Sequence, residues 1–129
     1  MEKHRFLSVA VAVVALCHPA FCAEDSAPAP FRPITASSST PDGLAPELAF
    51  DGLPQTRWAS KQSDGMEWLQ IDFGKTVRFH TLSIVWEAAF AVDYEVMVSD
   101  NGSDWRSVAV RLDGQGGRDD LADLQGEGR

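Results

Sequence analysis

Residues 92–98 read Val-Asp-Tyr-Glu-Val-Met-Val, and this short stretch decides the fold class of the chain. Every second side chain in it is apolar or aromatic: Val92, Tyr94, Val96 and Val98. Because successive side chains of a β-strand point to opposite faces, this alternation is typical of a strand with one buried face. The Asp-Asn-Gly at 100–102 is a tight-turn signal, which predicts a hairpin to a second strand over 105–111.

Further strand patterns precede this hairpin. Residues 34–38, which are rich in Ser and Thr, could form a first strand, and apolar side chains alternate with polar ones over 69–73. Over 77–86 the apolar positions change phase between Phe79 and Leu82. This predicts a β-bulge, since one extra residue moves the following side chains to the other face. Strands at this spacing, separated by turn residues, predict an all-β fold, an antiparallel β-sandwich.

Composition limits the classes of function. The chain has 129 residues, 44% of them hydrophobic, which suits one domain with a packed core. Its formal net charge is −8. An acidic surface repels nucleic-acid phosphates and anionic lipid heads, so we expect no nucleic-acid partner.

The N-terminal residues have the layout of an export signal. Lys3 and Arg5 form a basic start, an apolar run covers 6–17, and small residues follow near 20–23. We therefore predict a signal peptide over 1–23 and a secreted or periplasmic location. The apolar run is shorter than the roughly 20 residues that span a bilayer, so stable membrane insertion is not expected. Residues 24–32 are proline-rich and predict an extended linker.

Four motifs follow one another in a recognisable order. They are Leu-Ala-Phe-Asp-Gly-Leu-Pro-Gln-Thr-Arg-Trp-Ala-Ser at 48–60, Trp-Leu-Gln-Ile-Asp-Phe-Gly at 68–74, Val-Trp-Glu-Ala-Ala at 85–89, and Tyr-Glu-Val-Met-Val-Ser-Asp-Asn-Gly-Ser-Asp-Trp at 94–105. Their order resembles the factor 5/8 type C, or discoidin-like, domain of the galactose-binding-like fold, which includes bacterial carbohydrate-binding modules. The resemblance covers 33–129. It implies an eight-stranded jelly roll that binds carbohydrate or a cell-surface glycan without catalysis.

The last residues depart from the resembled family. Residues 113–120 are polar and glycine-rich, and we interpret them as a loop in which Asp119 and Asp120 are solvated. In the family a strand carrying an acidic residue follows such a stretch. The resemblance therefore implies a sandwich that is incomplete, or truncated, at the C-terminus.

The resemblance also implies a calcium loop at Asp51-Gly-Leu-Pro-Gln-Thr56. Calcium takes several oxygen ligands, including carboxylates and the carbonyls of tight turns. Asp51 would supply a carboxylate and Thr56 a hydroxyl oxygen. The alternative is an ordinary turn, in which the Asp51 carboxylate accepts hydrogen bonds from backbone amides.

The aromatic and polar loop residues are candidates for a glycan site. Three tryptophans match positions that look structural in the family, and we predict that they lie in the core: Trp58, Trp68 and Trp105. Trp86 begins a loop at a strand end and is predicted to be half-buried. The candidate ligand-binding residues are Lys61, Gln62, Asp64, Trp86 and Glu87. Each polar one could equally be an ordinary solvated loop residue.

Two departures weaken a specific galactose assignment. Galactose-binding relatives often have a His shortly after the tryptophan that matches Trp58, where this chain has Ala-Ser-Lys at 59–61. They also have an Arg in the loop that matches 86–91, where this chain has Glu87. The resemblance therefore implies carbohydrate binding without naming the sugar.

Nothing in the sequence motivates an enzyme. Once 1–23 are removed, His80 is the remaining histidine and both cysteines, Cys17 and Cys22, are gone. No nucleophile with a neighbouring base, and no metal-binding His/Cys spacing, is then left. We predict a non-catalytic module, accessory to a larger glycan-active protein or covalently linked to its catalytic domain. A structural or adhesive module that contacts protein or cell surface, and a non-functional gene remnant, remain alternatives.

Overall fold

The computed structural model describes residues 34–62 and 65–129. The predicted signal peptide and linker, and the candidate ligand residue at position 64, lie outside these ranges. The described part contains eight short strands and one 3-10 helix. They are β1 (Ile34–Ala36), the 3-10 helix Pro46–Ala49, β2 (Leu69–Ile71), β3 (Val77–Phe79), β4 (Leu82–Val85), β5 (Tyr94–Val98), β6 (Arg106–Arg111), β7 (Arg118–Leu121) and β8 (Gly126–Gly128).

The strands pair antiparallel in four sets: β1 with β2, β3 with β8, β4 with β7, and β5 with β6. The β5–β6 hairpin closes where the sequence predicts it. The Asn101 side chain accepts hydrogen bonds from the backbone amides of Ser103 and Asp104, both at 2.8 Å, and Gly102 adopts a positive φ of 72°. The all-β sandwich expected from the alternating patterns is confirmed. No helix within 34–62 or 65–129 is long and apolar enough to cross a membrane.

The core lies between the inward faces of these strands. Tyr94, Val96 and Val98 are buried, as their alternation predicts, and Val96 has no exposed surface. Val92, which precedes β5, is exposed, so its expected burial is wrong. The other buried apolar residues are Leu69, Ile71, Phe73, Phe79, Leu82, Ala91 and Leu124. A buried valine or leucine contributes about 1.5–3 kcal/mol relative to an exposed one, so these side chains supply the main stabilising contribution.

The phase change between Phe79 and Leu82 is a break between strands, so the predicted bulge there is wrong. β3 ends at Phe79 and pairs with β8, whereas β4 begins at Leu82 and pairs with β7. The chain passes between them at His80, whose carbonyl accepts a hydrogen bond from Leu124 N at 2.9 Å. When the chain changes its partner strand, the apolar side chains can change face, just as they do after an inserted residue. A register irregularity occurs elsewhere, between Val96 and Met97.

The polar stretch near the C-terminus is partly a strand, so the interpretation of Asp119 and Asp120 as loop residues is wrong. Both lie in β7 and pair with Ile84 and Ser83 of β4. Their side chains point to opposite faces: Asp119 is buried, whereas Asp120 is exposed. The sequence concealed this strand because charged residues occupy both of its faces.

The sandwich has two distinguishable ends. At one end, Arg129 donates its backbone N–H to the Ser99 carbonyl, at 2.8 Å, and its Nε lies 3.3 Å from Asp72 Oδ1. The last residues of β2 and β5 therefore meet there. Because strands of packed sheets often run roughly aligned, we infer that the first residues of β2 and β5 lie toward the opposite end. We call this opposite end, with segments 37–40, 58–62, 86–93 and 113–117, the loop end.

Candidate functional site

Two segments of the loop end are joined by hydrogen bonds. Segment 86–93 connects β4 to β5, and segment 113–117 connects β6 to β7. Trp86 N donates to Gly117 O at 2.6 Å, and Gly114 N donates to Val92 O at 2.7 Å. The Asp93 carboxylate accepts a third bond, from Asp113 N at 3.0 Å. These contacts hold the two segments as one surface.

A phenylalanine ring lies on this surface. Phe90 is 37% exposed, and its ring packs against Gly116. Gly116 has φ +72°, and a Cβ built there would lie 2.7 Å from Phe90 Cδ1. Only glycine combines this left-handed backbone with so close an approach. Gly116, in the glycine-rich segment 113–117, therefore leaves room for the Phe90 ring, which stays partly exposed to solvent.

Trp86 is half-buried beside the same surface, as predicted. Its ring contacts that of Tyr94, with centroids 5.4 Å apart and planes tilted by 59°. Its indole Nε1 donates a hydrogen bond to Asp119 Oδ2 at 2.9 Å. Asp119 and Tyr94, which are buried, thus contact the Trp86 ring, while part of the ring stays exposed.

Asp119 is a functional candidate that the sequence interpretation missed. It is 5% exposed, and it accepts hydrogen bonds from Trp86 Nε1, from the Tyr94 hydroxyl at 3.0 Å, and from Arg111 Nη2 at 3.0 Å. Burial, and then the hydrogen bond to Asp119, raise the pKa of Tyr94, so its hydroxyl remains a donor. The missed signal is the spacing of Asp119 and Leu121, which puts both on the inward face of a strand.

The tryptophans are distributed differently from the expectation. Trp58 packs against the core, and its Nε1 donates to Ser38 O at 3.0 Å. Trp105 is half-buried. Trp68 is 39% exposed, so its assignment to the core is wrong. It directly precedes β2, whose inward residues are Leu69 and Ile71, and the pleat therefore directs its side chain outward.

The polar candidates are held by different elements. The Glu87 side chain is exposed, and its Oε2 accepts a hydrogen bond from Ala89 N at 3.2 Å, within the 86–93 segment. Lys61 and Gln62 are also exposed, and Lys61 N donates to Ser38 Oγ at 3.0 Å. The same Ser38 hydroxyl donates to the buried carboxylate of Glu67 at 2.6 Å. Trp86 and Glu87 are thus adjacent on one segment, whereas Lys61 and Gln62 belong to another part of the loop end.

The predicted calcium residues come together in space. Thr56 Oγ1 lies 2.8 Å from both carboxylate oxygens of Asp51 and 2.8 Å from Leu53 O. Asp51 Oδ1 also accepts a hydrogen bond from Leu53 N at 2.9 Å, as in the alternative turn. A hydroxyl carries one proton, so three acceptor oxygens around Thr56 exceed what it can satisfy as a donor. An oxygen cluster of this kind fits a hard cation.

This oxygen cluster is the candidate metal site among the described residues. Within 34–62 and 65–129, no group of three or more His, Cys, Asp or Glu side chains could hold a metal ion. A site at Asp51 would consequently depend on one carboxylate, the Thr56 hydroxyl and the Leu53 carbonyl.

A polar groove of about 590 Å³ lies away from the loop end, between the β3–β8 pair and the hairpin that joins β5 to β6. Arg78 Nε and Glu127 Oε2 form an ion pair at 2.5 Å, and Arg106 Nη1 donates to Gln125 O at 3.2 Å. The described residues that line it include no Trp, Tyr or Phe, so it offers no ring for stacking.

The loop end combines partly exposed aromatic rings with a few polar groups, as small-molecule sites commonly do. Residues 33–125 match the family model described as F5/8 type C domain. The chain therefore belongs to the F5/8 type C domain family, and the resemblance noted in the motifs is confirmed.

Solved structures of chitosan-binding modules are similar to this chain. Module 2 of a chitosanase/glucanase from Paenibacillus sp. IK-5, in complex with chitotriose, has a TM-score of 0.71 and 28% identity, covering 75% of this chain and 77% of that one. A variant of module 1 from the same protein has a TM-score of 0.70 and 31% identity, with 75% of each chain covered.

One curated relative is far longer. A polysaccharide lyase 8 family protein, HylA of Enterococcus faecalis, is 33% identical over 72 residues. These residues are 56% of this chain and 5% of the relative. The match therefore concerns a small part of that protein.

Proposed function

We propose that this chain is a non-catalytic carbohydrate-binding module whose loop end takes an amino-sugar glycan of the chitosan type. The observation that carries the proposal is the surface formed by segments 86–93 and 113–117. It carries the partly exposed rings of Trp86 and Phe90 and the carboxylates of Glu87, Asp93 and Asp113.

The aromatic rings suit the apolar face of a sugar. A pyranose presents C–H groups on its faces and hydroxyls on its rim, so it can stack on a ring while polar groups bond its edge. Phe90 has about a third of its surface exposed and is seated on Gly116. A ring that is held in place loses little conformational entropy when it binds.

The carboxylates suit a cationic sugar. The protonated amine of a glucosamine unit is a hydrogen-bond donor with a positive charge, and bonds from such groups to carboxylates are stronger than neutral ones. The net charge of −8 attracts a polycation over a longer range. Similarity to chitosan-binding modules, at 28–31% identity, supports the same class of ligand.

The experiment is a calorimetric titration with three trisaccharides: chitotriose, N-acetylated chitotriose and cellotriose. At a pH where the glucosamine amine is protonated, chitotriose should bind, and more weakly as salt rises, because exposed charges are screened. Glu87→Gln should weaken chitotriose alone, whereas Phe90→Ala should weaken any sugar bound. Equal affinity for chitotriose and cellotriose would contradict the charge argument. Binding of none of them would favour the protein-contacting module.

We also propose that calcium binds at Asp51, Leu53 and Thr56. The Asp51 carboxylate oxygens and the Leu53 carbonyl oxygen each lie 2.8 Å from the Thr56 hydroxyl oxygen, and this convergence supports the proposal. The ion would stabilise the turn after the 3-10 helix, without taking part in glycan recognition at the loop end.

We propose, third, that the chain is exported and that Lys61 and Gln62 contribute polar contacts at the rim of the glycan site. The basic and apolar order of residues 1–23 supports export. The exposure of Lys61 and Gln62 on the segment bonded to Ser38 supports their role at the rim.

A further inference from the structure

Asp119 and Glu67 are the buried carboxylates among the described residues. Burying an ionised carboxylate is costly unless hydrogen bonds and a counter-charge compensate. Asp119 has both: Trp86 and Tyr94 donate to Oδ2, and the Arg111 guanidinium donates to Oδ1. The Arg111 side chain is about half exposed, so the network reaches from the core to the surface.

The network joins four strands at the loop end. Trp86 follows β4, Tyr94 begins β5, Arg111 ends β6, and Asp119 lies in β7. One carboxylate thus connects the ends of both strand pairs from which segments 86–93 and 113–117 emerge. The hydrogen bond from Trp86 Nε1 to Asp119 restrains one edge of the indole ring, in addition to the tilted contact of that ring with Tyr94.

We propose that Asp119 is a positioning residue for glycan binding: it holds the Trp86 ring through Nε1 and sets Arg111 at the edge of the site. This inference rests on the proposed function, because it names what orients the ring of that same site. Asp119 does not touch the glycan itself. Its effect on affinity passes through Trp86.

The neighbouring Asp120 provides a matched control. It is on the same strand and is exposed, and its carboxylate bonds Ser83 at 2.5 Å and Arg118 at 2.9 Å, on the outer face. Asp119→Asn and Asp120→Asn remove the same charge from adjacent positions. Only the first replaces an acceptor oxygen of the Trp86 network with a donor group.

The first measurement follows the Trp86 indole N–H in a ¹H–¹⁵N correlation spectrum. The chain has four tryptophans, and the Trp86 signal is the one that disappears in Trp86→Phe. We expect Asp119→Asn to shift this signal and to speed its exchange with water, whereas Asp120→Asn leaves it unchanged. An unchanged Trp86 signal in folded Asp119→Asn would overturn the proposal.

The second measurement is the affinity for chitotriose. Loss of a hydrogen bond to a charged group typically changes an equilibrium constant by about tenfold or more. Asp119→Asn should therefore bind chitotriose roughly tenfold more weakly than wild type. Asp120→Asn should stay within about twofold of wild type. Trp86→Phe, which keeps a ring but lacks the N–H, should weaken binding similarly, and adding Asp119→Asn to it should cost little more.

The outcomes separate the two proposals. Wild-type affinity in folded Asp119→Asn, or additive losses in the double variant, would overturn the positioning role while glycan binding stands. If Asp119→Asn does not fold, Trp86→Phe with wild-type affinity would overturn it. If the wild-type chain binds no trisaccharide, the proposed function fails, and the indole signal alone then decides whether Asp119 positions Trp86.

Discussion

At the scale of single residues, Asp119 and Asp120 illustrate how backbone geometry assigns roles to identical side chains. The pleat directs one carboxylate into the core and the other to solvent. The hydrogen bond from Ser83, followed by that from Arg118, lowers the pKa of Asp120, which remains ionised on the surface. From composition the pair looked like a solvated charge run, because adjacent acidic residues usually are one.

The calcium proposal is tested at the same scale. A ligand that binds only the folded state raises its stability by about 2.7 kcal/mol at a hundredfold excess over Kd. We expect the thermal midpoint to rise with calcium and to fall with a chelator in wild type. Asp51→Asn should abolish the difference, since an amide keeps the oxygen but loses the charge.

Glu47→Gln, in the preceding 3-10 helix, serves as the charge-matched control and should retain the calcium response. Equal midpoints with calcium and with chelator in the wild-type chain would rule out the ion. An undiminished response in Asp51→Asn would place it elsewhere.

At the scale of elements, strands whose apolar residues alternate regularly could be predicted from the sequence, and irregular strands could not. β5 alternates cleanly, and β2 has apolar inward residues on both sides of Gln70, so both could be predicted from period 2 alone. β7 could not, because Arg118, Asp119 and Asp120 give it no apolar face beyond Leu121. The break between β3 and β4 at His80 could not be distinguished from a bulge, because a change of partner strand produces the same shift in the apolar pattern.

The glycine segment 113–117 offers a prediction at this scale. Gly116 and Gly117 have similar positive φ values of 72° and 74°, but a Cβ meets the Phe90 ring only at Gly116. Gly117→Ala should cost about 1–2 kcal/mol, for the left-handed backbone alone. Gly116→Ala should cost more, since Phe90 must also move, and it should weaken chitotriose binding.

Chemical denaturation of both variants measures the two free energies of unfolding. The difference between the variants isolates the contact with Phe90, because the backbone penalty is common to both. Equal losses of stability in the two variants, together with unchanged chitotriose binding by Gly116→Ala, would mean that the contact between Gly116 and Phe90 does not affect the glycan site.

At the scale of the whole molecule, the sequence predicted the class of protein more fully than its site. Four motifs in order indicated the family, because they specify turns and strand starts that the fold requires. The site depends on which loops meet in space. Phe90 and Asp119 acquire their roles from contacts with Gly116 and Trp86, which are distant in sequence.

Export is a prediction for the whole chain. Expressed in a bacterial host, the full sequence should lose its first 23 or so residues during translocation, since a basic start and a short apolar run are read as a cleavable signal. N-terminal sequencing of the periplasmic or culture fraction determines the cleavage point. Recovery of the chain in that fraction with Met1 still in place would contradict the prediction.

The location of the glycan site is the central claim, and chemical-shift mapping with chitotriose tests it most directly. We predict that the largest shifts fall on the Trp86 indole and on the backbone amides of Glu87, Phe90 and Gly116. Amides around Arg78, His80 and Gln125, which line the polar groove away from the loop end, should stay unchanged. Shifts concentrated at that groove, or no shifts at saturating chitotriose, would contradict the claim.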